Sequence, residues 1–210
     1  PRLNILEDSL LFIPKSWHPA SFGYRELFLY LRYHIHSKKT MQQKEESNLQ
    51  NSLNEWAECV VGVYNPIAQK EGVNYYTQSN LSLLHSSPEL LLLGINPGSA
   101  GGGGKEHTAE EFLQGNPAYH EKDSWPMWQR LCRLFTQGDM LDMLQDEESL
   151  VWSNVFHFNS KKESGLTNPM KAPEVVQLTR ILIQKLQPQR VLCLGGANCL
   201  YQLSPSMRLL

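Results

Sequence analysis

Cysteine is scarce in this sequence: four occur among 210 residues, and Cys59, Cys132, Cys193 and Cys199 nowhere form a Cys-x-x-Cys pair. That spacing speaks against a disulfide-stapled scaffold and offers no ligand pattern for a structural zinc or an iron–sulfur cluster, so neither metal nor cofactor is expected. Scattered thiols fit a reducing compartment, the cytoplasm of a bacterium or the nucleus of a eukaryote. No apolar run approaches the roughly 18 to 20 residues that a membrane span needs, and no secretory leader is visible, so a membrane is not an expected partner. An excess of positive charge is missing too. The 19 Lys and Arg residues stand against 21 Asp and Glu, for a net charge of −2, which leaves any polyanion to bind at a local patch rather than over the whole surface. No pattern marks an oligomer, and a monomer is expected.

What is present is an ordinary globular composition. At 41% hydrophobic residues the chain can bury the core of one domain spanning residues 1–210. Tyr24 to His36 places Leu27, Phe28, Leu31 and Ile35 at helical spacing; the polar stretch 37–52 then reads as a connection or a solvated helix end within that domain. Short apolar runs at Cys59 to Tyr64, Leu90 to Gly94, Val151 to Phe156 and Arg190 to Leu194 predict strands. Pro126 to Thr136 and Pro173 to Leu186 predict helices. In the second, Val175, Leu178, Ile181, Leu182 and Leu186 share a face and Pro188 marks the stop. Nearly continuous apolar strands alternating with helices predict an α/β fold, a three-layer α/β/α sandwich around a mainly parallel sheet. Ligands of such sheets sit beyond the carboxyl ends of the strands, which singles out the loop 94–104 and the end of the Val151 strand.

That loop is bare of side chains: Gly94-Ile95-Asn96-Pro97-Gly98, then Gly101 to Gly104. A phosphate-binding P-loop fails, because Ser99 stands where the first glycine belongs and Glu106 replaces the hydroxyl residue after Lys105. A dinucleotide fingerprint fails as well, since Asn96 occupies the position of its second glycine. A flexible surface loop accounts for Gly101 to Gly104 but not for Asn-Pro-Gly directly after a buried strand.

GINPG after a hydrophobic strand resembles the first active-site motif of the uracil-DNA glycosylase superfamily. The form is that of the mismatch-specific uracil/thymine glycosylases and, as Gly-Met-Asn-Pro-Gly, of the single-strand-selective monofunctional uracil-DNA glycosylases. Upstream, VYNPIA (Val63 to Ala68) is similar to the Tyr-Asn-Pro segment of the second group. Downstream, LVWSNVFHFNS and KAPEVVQLTRILIQKLQPQRVLCLGG follow the superfamily's order: a strand ending in asparagine, a Pro-Glu helix start, a long helix, and a strand closing on glycine. The resemblance runs from about Tyr64 to Gly196.

It implies a monofunctional DNA glycosylase that hydrolyses the N-glycosidic bond of uracil, or a related base, flipped out of single- or double-stranded DNA, leaving an abasic site for base excision repair. Asn96 would orient a water toward C1′ of the deoxyribose; capping of the turn is its alternative role. Gly94, Ile95, Pro97, Gly98 and Ser99 would bind the base, with backbone N–H groups meeting the uracil oxygen that gains charge. Asn154 would read the O4 and N3–H edge of uracil, with Asn159 a nearby rival. Tyr119 is the aromatic floor expected, ahead of Phe112 and Trp125. Lys105, Lys161 and Lys162 would contact phosphates, or else are solvated charges. No lysine occupies the motif position, so simple hydrolysis rather than a Schiff base is implied. His157, three residues after Asn154, reads as a structural histidine. The superfamily's His-Pro-Ser motif, expected some tens of residues beyond Gly195-Gly196, is not reached before Leu210. LSPSMRLL has no histidine, and the His-Pro of WHPASF, Trp17 to Phe22, comes before every other motif. The expectation is therefore a piece of a longer chain or a variant without that element. A silent member that binds DNA or nucleobase without cleavage is the alternative function, and a nucleotide-binding hydrolase is weakened by the failed P-loop.

Overall fold

Four consecutive leucines form β1 (Leu90–Gly94), the centre of the sheet. In a computed structural model describing residues 24–98, 103–195 and 197–203, β2 (Leu150–Asn154) and β3 (Arg190–Cys193) flank β1, both parallel to it, in the order β2-β1-β3. The register sets Leu90 beside Leu150 and Arg190, and Gly94 beside Asn154 at the carboxyl ends. Parallel neighbours need long crossovers, here filled with helices: α1 (Tyr24–Glu71) precedes the sheet, α2 (Ala109–Leu113), α3 (Pro126–Gln137) and α4 (Asp142–Gln145) join β1 to β2, α5 (Pro173–Leu186) joins β2 to β3, and α6 (Ala197–Leu203) follows.

Side chains alternate across a strand, and the core divides accordingly. Leu91, Leu93 and Val151 pack with Trp56, Val60 and Tyr64 of α1, Phe112 of α2 and Leu182 of α5. Leu90, Leu92, Leu150 and Trp152 pack with Trp128, Leu131 and Phe135 of α3 and Leu144 of α4. The protein is thus a mixed helix and strand chain around a small, open, all-parallel sheet. Contacts separate residues 1–43 from 44–210; the first unit is described only as helix from Tyr24 onward, and everything below concerns the second.

The sequence expectation fails at Cys59 to Tyr64, which is helix, not strand. Three valines and a tyrosine in so short a window look extended, but the buried positions Leu53, Trp56, Ala57, Val60, Val61, Tyr64 and Ala68 recur every three to four residues, the period of a helix laid on a core. Of the two readings of residues 37–52, helix rather than connection is the one found, because α1 runs through them. The other elements fall where expected: α5 ends with Gln187 in the left-handed region at φ 45° before Pro188. Among the described residues no helix is long and apolar enough to cross a membrane.

Candidate functional site

The loop after β1 is fastened to the continuation of β2. Val155 N–H donates to Gly94 O and Phe156 N–H to Ile95 O, both at 2.9 Å, and Ser160 N–H donates to Pro97 O at 3.0 Å. Asn96 is locked into the same network: Nδ2 donates to Ser160 O at 2.7 Å and to Pro97 O at 3.0 Å. Two backbone carbonyls can only accept, so they identify the nitrogen end of the amide and leave Oδ1 as its acceptor end.

Asn154 ends β2 beside Gly94 and is 2% exposed. Its Nδ2 is buried with no hydrogen-bond partner among the described residues, an arrangement that costs about 1–3 kcal/mol wherever it persists. A Cβ on Gly94 would stand 2.5 Å from Asn154 Oδ1, so the glycine is what lets the asparagine occupy this place.

Gly94, Ile95, Asn96, Gly98 and Asn154 line one cleft of about 590 Å³ at the carboxyl ends of β1 and β2, the position at which open parallel sheets hold ligands. Its apolar walls are Trp125, Met127, Trp152 and Leu194. Trp125 meets Trp152 edge to face at 5.9 Å, and Trp128 stacks on Trp152. Tyr76 and Gln78 add a polar wall carried by a segment tied to β2: Gln78 and Ser79 N–H both donate to Trp152 O, and Ser79 Oγ accepts from Trp152 N–H at 2.8 Å.

Under this wall His157 is fully buried, with Tyr64 Oη 3.1 Å from Nδ1 and Ser153 Oγ 3.1 Å from Nε2. Burial holds its pKa down at about 3, so the ring is neutral and each nitrogen has a partner. Burial likewise drives the Tyr64 phenol far above its usual value.

The remaining expected residues are placed as follows. Pro97 is buried, its carbonyl serving Asn96 and Ser160; Ser99 lies outside the described residues, as do Trp17 to Phe22 and 204–210. Tyr119 lines a neighbouring groove together with Lys105, its ring edge-on to Trp125 at 6.2 Å and its phenol pushed up to about 12 by burial. Lys105 pairs with Glu111 at 3.0 Å, and Lys161 and Lys162 are exposed. Phe112 is buried in the core. Asn159 is bound to Asn74: its Oδ1 accepts from Asn74 N–H at 3.0 Å. Sequence reasoning overlooked Tyr76, Gln78, Asn116 and Trp152. Trp152 was within reach, because it precedes Asn154 by two residues on a strand and so faces the same way; the others come together only through the tertiary fold. Among the described residues no three His, Cys, Asp or Glu side chains gather as a metal site. No protein-family model matches the chain, and no curated protein or solved structure matches it either.

Proposed function

We propose that the cleft receives a pyrimidine extruded from DNA and that the protein is a monofunctional uracil-DNA glycosylase. The observation that carries this reading is the buried Asn154 amide, left short of a hydrogen-bond partner at the wall of an aromatic cleft whose other edge holds Asn96. The reading extends to the fold, a three-layer α/β/α arrangement supported by the separate cores on the two sides of the sheet.

An extruded uracil supplies what Asn154 lacks: O4 accepts from Nδ2 while N3–H donates to Oδ1. Cytosine, with an amino group at that position, offers the opposite pattern. The apolar lining supplied by Trp125, Met127, Trp152 and Leu194 gives the flipped ring cover that offsets a few kcal/mol of unstacking. The C1′–N1 bond then breaks with its electron pair passing to the base, whose oxygen gains charge toward backbone N–H groups of the 95–98 loop. The sugar becomes oxocarbenium-like. Asn96 Oδ1 accepts a hydrogen bond from a water, which attacks C1′; its hydroxyl becomes the sugar hydroxyl and its proton leaves to the base. A neutral amide suffices because the electrophile is already cationic. Among the described residues lining the cleft there is no lysine, in keeping with hydrolysis rather than an imine.

The test is base release from a labelled single-stranded oligonucleotide containing one uracil, beside the same duplex, with alkali revealing abasic sites. Release by the wild type, reduced by about 100-fold or more in Asn96→Ala, is the expected outcome. Retention of the oligonucleotide without release would replace this reading with that of a silent binder.

A further inference from the structure

Gln78 is the second buried amide at the cleft, 7% exposed, and the direction in which it points its hydrogen-bonding groups can be deduced rather than assumed. The backbone N–H of Ala118 can only donate, and it donates to Asn116 Oδ1 at 3.0 Å. That orientation makes Asn116 Nδ2 the other end, and it donates to Gln78 at 2.8 Å. The receiving atom must therefore be Oε1, which leaves Nε2 as the donor end of a side chain that lines the cleft. Gln78 N–H is bonded to Trp152 O, two residues before Asn154 on β2, so the two amides approach a ligand from the same wall.

We infer that Gln78 is a specificity-determining residue, donating Nε2–H to the exocyclic carbonyl oxygen of the base, and that Asn116 sets this polarity. The inference rests on the glycosylase reading for its substrate class. A carbonyl oxygen has two lone pairs, enough for Asn154 and Gln78 together, whereas an amino group at the same position would confront both donors with a third. A ring bearing oxygen there is accepted and its amino analogue is refused.

Two variants reverse the polarity by different routes. Gln78→Glu keeps the shape and still accepts from Asn116, but turns the cleft-facing donor into an acceptor. Asn116→Asp still accepts from Ala118 N–H, yet now demands a donor from Gln78, which must swing its amide and present Oε1 to the cleft. Each variant is compared with the wild type in two assays: release of uracil and of cytosine from an oligonucleotide, and binding of the free bases read by quenching of Trp125 and Trp152 fluorescence. In both variants uracil release and affinity are expected to fall by about 10- to 100-fold, while the preference for uracil over cytosine narrows and a cooperative thermal transition shows that each variant is folded. An unaltered preference in both variants overturns the inference. Wild-type binding of uracil without release would sink the glycosylase reading yet leave Gln78 to be judged by the binding arm; neither binding nor release by the wild type would overturn both.

Discussion

Gly94 and Asn154 occupy opposing positions on adjacent strands, and each constrains the other. With a would-be Cβ 2.5 Å from Oδ1 and 3.6 Å from Cγ of Asn154, Gly94→Ala must displace the Asn154 amide from its place at the wall of the cleft. Such overpacking costs about 1–3 kcal/mol, and a misplaced reading amide should cost base release about 100-fold. Urea unfolding and release kinetics on the same preparation check both numbers. The double variant Gly94→Ala with Asn154→Ala should regain most of the stability and none of the activity, because the clash and the recognition end in the same side chain. Asn96 differs: with its nitrogen bonded to two carbonyls, it is held for its oxygen, and Asn96→Ala should spare uracil binding while removing turnover.

Between elements, β2 is held in place from beneath by the Tyr64–His157–Ser153 chain, which links α1 to the strand that ends in Asn154. The folded-state pKa of His157, about 3, lies below the ordinary value near 6.5. Between those values the unfolded chain binds a proton that the folded chain refuses, so stability is full above about pH 6.5 and is lost as the pH falls toward 3. The slope approaches about 1.4 kcal/mol per pH unit. Urea titrations at a series of pH values should show this loss, and His157→Gln should flatten it at the cost of a lower starting stability. The later part of α1 contributes as well: Trp56 Nε1 donates to Leu178 O at 2.8 Å, and Asn65 bonds both Tyr75 Oη at 2.6 Å and the backbone of His107. Through Asn65 the end of the glycine-rich loop is tied to a helix position 42 residues upstream in the chain.

For the molecule as a whole, a net charge of −2 speaks against affinity for DNA by bulk attraction, so the proposed function predicts retention through a few phosphate contacts near the cleft. Oligonucleotide binding should weaken with salt along a shallow line, its slope about 0.7 per contact for a single strand. Lys161→Ala with Lys162→Ala should make it shallower still without altering the uracil preference. Filter binding across a salt series checks this; an unchanged slope would remove both lysines from the interface.

Local sequence suffices for β1, β2, β3 and α5, because continuous leucine or valine runs and a Pro-to-Pro amphipathic segment carry their own period. It also marks Asn96 and Asn154 as candidates, one in the loop just past an apolar strand and the other at a strand's end, where an α/β sheet holds its ligands. It misleads at Cys59 to Tyr64, where a six-residue window cannot separate a buried helix turn from a strand. The rest is settled by the assembled fold. Gln78 and Asn116 are 38 residues apart and show no local pattern, yet one backbone N–H at Ala118 orients both amides. Trp125 rather than Tyr119 reaches the cleft because α3 begins there and turns Tyr119 into the neighbouring groove. Periodicity reports which face of an element is buried. Which polar atoms then meet, and in which orientation, depends on distances between elements that no local pattern contains.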